Sequence, residues 1–286
     1  MVSLFISSVR SHCEWKTPME PWHIIVALIQ GLVEWLPISS EGQVVLFVYN
    51  LGAVPQTEIV TLVVWLHLGT ALAVLVRYPR TILEVATLKD RALFRLLVIA
   101  TFATAVTAIP LYLFLRAILT SDMGASDIGE LLNISIGILL MITALVLYLP
   151  TRSTLNELDV EERDPTNLVA LTTGLVQGVS VLPGLSRSGL TVSALLMQKI
   201  DKEKALRFSF LMSVPAVLGI LVVEILIGPA IPSIETVDLL AMEVIVFITG
   251  LASMEFLLRI AKRIQFWKLC LLIGVIAVVF GIPVLL

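Results

Sequence analysis

Charged residues are scarce in this chain of 286 residues: they make up 14% of it, against 58% for hydrophobic residues. Soluble domains carry about 25% charged residues, and the mean hydropathy here is +1.01. This composition excludes an ordinary soluble domain and predicts a polytopic membrane protein. The net charge of −3 says little about partners beyond the bilayer, and no nucleic-acid partner is predicted.

Cysteine is also rare, since the chain has only Cys13 and Cys270. Two isolated cysteines predict neither a disulfide framework nor a metal–thiolate motif. The first 20 residues have a short apolar run and no clear cleavage site, which favours a tail over a signal peptide.

Two apolar segments are too short to span a bilayer. Residues 22–36 contain Gln30 and Glu34 and stop at Pro37, whereas a spanning helix needs roughly 20 residues. After a polar break, a second short segment covers 44–52. Two short helices around a polar break predict a re-entrant hairpin over 22–52, and the same pattern recurs over 168–198.

Three full spans are predicted after each hairpin, and the two halves resemble each other. IQGLVEWLPISSEGQ (29–43) is similar to VQGVSVLPGLSRSGL (176–190). Three crossings is an odd number, so the second copy is expected to be inverted, with paired short segments at the midplane. The predicted spans are about 59–76, 93–115, 131–149, 206–227, 239–258 and 267–285.

The predicted fold is therefore an all-α polytopic membrane protein built as an inverted repeat, with six full spans and four short re-entrant helices. The first repeat covers 21–150, an acidic cytoplasmic linker covers 151–167, and the second repeat covers 168–286. Lysine and arginine gather in the loops of one side and are absent from 117–130 and 228–238. The positive-inside rule then places both termini outside a multi-pass plasma-membrane protein.

Each hairpin tip restarts a helix, and a helix N-terminus attracts anions. Arg187 supplies a fixed charge whose fork matches phosphate oxygens. Glu34 would repel a phosphate unless a divalent cation lies between them. These groups together predict phosphoryl-transfer chemistry. Hydroxyl donors are available at Ser40, Ser186, Ser188 and Thr191.

Structural roles explain some of these residues equally well. Ser40 and Gln43 have the spacing of a capping box, and Gln30 and Gln177 could bond to loop backbone. Arg187 and Glu34 could be a buried ion pair that joins the hairpins. Glu224 and Glu243 also fall inside predicted spans, where helix–helix bonding is the more common role.

The chain resembles the undecaprenyl-diphosphatase family of bacitracin-resistance membrane phosphatases from about Pro21 to its end. PGLSRSGLT (183–191) is similar to that family's PGxSRSxxT motif, QGLVE (30–34) fits its (E/Q)xxxE motif, and 204–219 is similar to the segment that follows. The resemblance implies hydrolysis of a polyprenyl diphosphate with Mg²⁺ or Ca²⁺, in a site open to the external face.

The resemblance also implies roles for individual residues. The expected catalytic residues are Glu34, Ser40, Ser186, Arg187 and Thr191, with Glu34 also a metal ligand beside the substrate phosphates. The expected substrate contacts are Gln30, Gln43, Ser188, Gly184 and Gly189. Ser40, Ser186 and water all remain open as nucleophile, and a homo-oligomer is possible.

One position departs from the family pattern. Gln43 stands where bacterial members usually have a histidine, and glutamine cannot transfer a proton at neutral pH as imidazole does. Glu34, Glu41 and His67 are candidate substitutes. The alternative function is a polyprenyl-phosphate flippase, because inverted repeats with broken helices are a transporter architecture. The signature of type 2 phosphatidic acid phosphatases is absent.

Overall fold

The computed structural model describes residues 19–52, 54–119, 125–153, 164–228, 231–260 and 266–281. Within these ranges all regular elements are helices. In chain order they are α1 Pro21–Val33, α2 Ser40–Leu51, α3 Gln56–Arg77, α4 Pro79–Ala86, α5 Arg91–Leu119, α6 Ala125–Ser153, α7 Asn167–Val179, α8 Arg187–Met197, α9 Lys202–Ile227, α10 Thr236–Ile260 and α11 Phe266–Gly281. The predicted tail lies almost wholly outside the described residues, as do Cys13 and most of the linker.

Four of these helices are long and apolar enough to cross a membrane. The qualifying segments are Glu58–Arg77, Arg91–Ile118, Lys202–Ile227 and Thr236–Arg259. The apolar part of α6, Ile134–Leu149, and α11 are shorter. The all-helical membrane fold is thus confirmed, while a count of six spans stays a prediction.

Helices α1, α2, α7 and α8 lie where the sequence predicts the two hairpins. Pro21 begins α1, which suits proline because the first turn has unpaired N–H groups in any case. Thr166 caps α7 by accepting a hydrogen bond from the N–H of Val169 at 3.3 Å. One helix was not predicted: α4 lies in what the sequence suggested was a basic loop.

Each hairpin packs its first helix against a long helix of the other half of the chain: α1 lies on α10, and α7 lies on α5. Small residues permit this approach, since a Cβ at Gly31 would lie 2.8 Å from the carbonyl oxygen of Val246. Trp35, just after the first hairpin helix, donates to the carbonyl of Gly250 at 2.9 Å. The same indole packs edge-on against Phe210, so the first tip is held between α9 and α10.

Candidate active site

The first tip contains a left-handed turn that separates two adjacent serines. Ser39 has φ 56° and caps α2, accepting from the N–H of Gly42 at 3.2 Å. Ser40 is the first residue of the helix and is not its cap. The side chain of Gln43 donates to the carbonyl of Ile38 at 3.1 Å. The predicted capping box between Ser40 and Gln43 is therefore wrong, because Ser39 takes the capping position.

The second tip is a glycine turn followed by a single capping serine. Gly184 has φ +107°, a conformation that side chains rarely tolerate, and a Cβ there would lie 2.7 Å from the carbonyl oxygen of Ile136. Ser186 caps α8, accepting from the N–H of Gly189 at 3.1 Å. The Ser186 backbone N–H donates to Thr143 at 3.2 Å, which fixes the tip against α6.

The two tips meet in the described structure, as the sequence predicts. The N–H of Gly184 donates to Ser39 Oγ at 3.1 Å, and Ser188 Oγ donates to the carbonyl of Leu36 at 3.3 Å. A Cβ on Gly189 would lie 3.1 Å from Cβ of Pro37. Gly184, Ser188 and Gly189, predicted as substrate contacts, are thus placed where they join the tips.

Glu34 accepts hydrogen bonds from its own hairpin and from the second tip. Its side chain is buried, and Oε2 accepts from Ser40 Oγ at 2.6 Å and from Gln30 Nε2 at 2.8 Å. Its other oxygen, Oε1, forms an ion pair with the guanidinium of Arg187. Both oxygens of this carboxylate therefore have donors, and all three donors belong to predicted site residues.

His67 on α3 completes the polar group. Its Nε2 lies 3.4 Å from Glu34 Oε2 and 3.2 Å from Glu41 Oε1. Its Nδ1 is 2.7 Å from the carbonyl oxygen of Val63; a carbonyl only accepts, so Nδ1 carries a proton. Nε2 is then the nitrogen available for proton exchange with the site.

Two predicted residues lie away from this group. Thr191 is fully buried (0% exposed); its hydroxyl is 2.8 Å from the carbonyl oxygen of Arg187 and 2.6 Å from Ser209 Oγ. Thr191 therefore joins α8 to α9 behind Arg187. Gln43 is held by Ile38 and lines neither of the cavities described next.

A small cavity of ≈ 220 Å³ lies at the meeting point of the tips. It adjoins a larger groove of ≈ 710 Å³ whose wall is mostly apolar, between the hairpins and helices α3, α5 and α9. Both spaces are bounded by Glu41, His67 and Arg187. The small cavity is otherwise lined by Glu34, Ser39, Ser40, Leu185 and Ser186. The arrangement is a polar cavity joined to a mostly apolar groove.

The donor set can be tested against a divalent cation. In the described residues no group of three or more His, Cys, Asp or Glu is arranged to hold a metal ion. Mg²⁺, however, is commonly held by one or two carboxylates plus substrate phosphates. Glu34 has both oxygens occupied, one by a guanidinium that repels cations. The Glu41 side chain is 24% exposed, and its Oε1 pairs with Nε2 of His67. Glu41 fits a cation site shared with substrate better than Glu34 does.

Fold and site together define a class: a helical multi-pass membrane protein with a charged, polar cavity where two short hairpins meet. Residues 23–279 match the family described as bacitracin resistance protein BacA. The chain belongs to this family.

Curated relatives agree with this assignment. The chain is 38% identical to an undecaprenyl-diphosphatase of Methanothrix thermoacetophila, over 88% of this chain and 93% of the relative. It is 36% identical to an undecaprenyl-diphosphatase of Haloarcula marismortui, over 92% and 97%. It is 29% identical to one of Halothermothrix orenii, over 90% and 96%.

The sequence leaves several residues around the site undecided or unmarked. The sequence suggests Glu41 and His67 only as substitutes for the histidine that position 43 lacks. Thr143 belongs to no sequence motif. The available signal for His67 is a histidine inside an apolar span. The available signal for Ser39 is the pair of adjacent serines in the first tip.

Proposed function

We propose that the protein is an integral membrane phosphatase that hydrolyses undecaprenyl diphosphate, or a similar polyprenyl diphosphate, to the monophosphate and phosphate. Its role is to recycle the lipid carrier of cell-envelope glycan synthesis. The observation that carries this proposal is the polar cavity that adjoins an apolar groove through Glu41, His67 and Arg187. The charged and hydroxyl groups that line the first space suit a diphosphate, and the mostly apolar wall of the second suits a hydrocarbon chain.

Arg187 is the proposed phosphate-binding residue. It lies in the first turn of α8, where the partial positive charge of the helix favours an anion. Its guanidinium has five N–H donors and pairs with Glu34 through Nη2. The remaining donors can bind the terminal phosphate while the pair with Glu34 holds the guanidinium in place.

Ser40 is the proposed nucleophile. Its hydroxyl donates to Glu34 at 2.6 Å, which is the pairing of nucleophile and base that activates a serine. In the described part of the chain the Ser186 hydroxyl contacts no such base, because it caps α8 and lies 3.2 Å from another hydroxyl, that of Ser188. Ser40 Oγ bonds to the terminal phosphorus, its proton passes to Glu34, and the bond to the bridging oxygen breaks. Polyprenyl monophosphate leaves, and water then hydrolyses the phosphoserine.

His67 is the proposed replacement for the histidine that position 43 lacks. Its Nε2 lies within 3.4 Å of Glu34 and 3.2 Å of Glu41, whereas Gln43 is held outside the cavity. A protonated Nε2 can give its proton to the leaving monophosphate oxygen, and the neutral ring can take one from the attacking water.

A divalent cation, Mg²⁺ or Ca²⁺, is part of the proposal, with Glu41 and the substrate phosphates holding it and Glu34 nearby. When bound, it neutralises the charge that develops on the diphosphate. Without a cation, a diphosphate in the cavity would lie close to two carboxylates, Glu34 and Glu41. A cation between the diphosphate and these carboxylates would remove the repulsion.

The inverted repeat is proposed as the architecture, with six spans, both termini outside and the site open to the external face. The reciprocal packing of α1 on α10 and of α7 on α5 supports it, because a two-fold relation between the halves requires this exchange. The homo-oligomer stays a prediction. The flippase alternative rests on this architecture, whereas the phosphatase proposal rests also on the pairing of Ser40 with Glu34.

The decisive test is phosphate release by the purified full-length protein in detergent. We expect release from undecaprenyl diphosphate when Mg²⁺ or Ca²⁺ is present, and none with the Arg187→Ala variant. A protein that releases no phosphate with any divalent cation, yet scrambles labelled lipid in vesicles, would contradict the phosphatase proposal.

A further inference from the structure

The apolar groove borders a buried polar cluster that the proposed hydrolysis does not use. Glu224 on α9 is fully buried (0% exposed). Its Oε1 accepts from Thr61 Oγ1 at 2.6 Å and from Arg116 Nη1 at 2.9 Å. Its Oε2 accepts from the hydroxyl of Tyr112. The cluster therefore ties α3, α5 and α9 together across the groove.

The cluster lies at the end of the groove away from the diphosphate cavity. On α3 the groove wall extends from His67, at the cavity, back to Val60, which is about two helical turns or 10 Å. Thr61 follows Val60 directly. On α5 the wall includes Tyr112 and Leu115, and Arg116 is the next residue.

Hydrocarbon cannot pass this cluster without disrupting it. A buried ion pair is costly to break, because either partner left alone is an uncompensated charge. The ring of Tyr112 is fixed by two contacts, since Arg116 Nη1 donates to its hydroxyl at 2.8 Å and the hydroxyl donates to Glu224. The ring has little freedom to swing aside for a longer chain.

We propose that Tyr112, held by Arg116 and Glu224, is the floor of the groove and sets how many isoprene units next to the diphosphate the protein recognises. This inference rests on the proposed function. The rest of a long chain lies outside the groove and adds no selectivity.

The test compares geranyl, farnesyl and geranylgeranyl diphosphates as substrates of the full-length protein. For the wild type, kcat/KM should rise with each added isoprene unit until the groove is full and then level off. In Tyr112→Ala, kcat/KM should continue to rise up to a longer chain than in the wild type. The ratio of kcat/KM values for two substrates one isoprene unit apart at this limit should change by at least about fivefold, as expected when a wall that excludes one unit of hydrocarbon is lost. Tyr112→Phe keeps the ring but loses the hydroxyl through which Arg116 and Glu224 hold it, so its ratios should lie between those of the wild type and those of Tyr112→Ala.

Two further variants complete the test, one as a control and one that narrows the groove. Phe114→Ala removes a 61% exposed ring from the same helix and should leave the ratios unchanged. Val60→Phe should shorten the groove and move the levelling to a shorter chain. Unchanged ratios in both Tyr112→Ala and Val60→Phe, or no chain-length dependence in the wild type, overturn the proposal.

A second measurement separates this inference from the proposed function. The thermal unfolding midpoint of the wild type should rise with the chain length of an added monophosphate, from geranyl to farnesyl to geranylgeranyl, until the groove is full. In Tyr112→Ala this rise should continue to a longer chain. If no diphosphate is hydrolysed, the phosphatase proposal is wrong while this series still tests the floor. An equal rise in the unfolding midpoint at every chain length would overturn the proposal that Tyr112 is the floor of the groove.

Discussion

The two hairpin tips carry the same pattern, a serine three residues after a proline, yet the two serines have different roles. In the second tip Ser186 caps its helix. In the first tip Ser39 takes the capping role from a left-handed turn, and Ser40 is left to donate to Glu34. The two adjacent serines thus divide helix capping and the hydrogen bond to Glu34 between them. The first tip supplies carboxylate and hydroxyl, and the second supplies the guanidinium.

The pairing of the tips through Arg187 and Glu34 should give the largest effect. Arg187→Ala removes the proposed phosphate-binding charge, and we expect phosphate release to fall by about a thousandfold or more, as when an arginine that stabilises phosphoryl transfer is lost. It also leaves Glu34 buried without its counter-charge, which costs about 3–5 kcal/mol of stability. Phosphate release and thermal unfolding in detergent measure the two effects.

The matched control is the double variant Arg187→Gln with Glu34→Gln. It removes both charges together, so the free energy of unfolding should return towards that of the wild type while activity stays lost. Recovered activity in the double variant would show that the pair only joins the hairpins.

The different roles of the two serines can be tested directly. Ser40→Ala should lower kcat by about a thousandfold, within the range for losing a positioned proton-transfer pair, with little change in stability. Ser186→Ala should instead cost about 1 kcal/mol of stability through the lost cap and reduce kcat far less. Acid-quenched wild-type protein should contain phosphoserine at position 40. Phosphoserine at 186, or a larger kcat loss there, would reverse the assignment.

The sequence predicts the tips well because the polar breaks and prolines stand out in apolar surroundings. Glu34, Ser40, Ser186 and Arg187 are all expected at one site, and they lie together. The roles of Ser39 and His67 are not predictable in the same way, because a left-handed turn has no unique signature at a serine. The approach of α3 to the tips is a tertiary contact that the sequence of α3 alone does not encode.

His67 is the contribution of a long helix to a site otherwise made by the tips. His67→Asn keeps a polar side chain but cannot exchange a proton, so kcat should fall by about a hundredfold, at the lower end of general acid–base effects. KM should change little if the ring acts only in proton transfer. A loss confined to KM would make His67 a binding residue, and the kcat and KM values of the variant distinguish the two.

The smallest effect is expected at Gln43, where the family pattern suggests the largest gain. Its amide donates to the carbonyl of Ile38 at 3.1 Å, and it lines neither cavity. Gln43→His should therefore leave kcat within about twofold of wild type, since a catalytic base must reach the proton that it moves. The double variant Gln43→His with His67→Asn extends the test, because it asks whether an imidazole on the first tip can replace one on α3. Restored kcat in that variant would mean that the tip can present a histidine to the cavity, and that the two positions are interchangeable sites for one proton-transfer group.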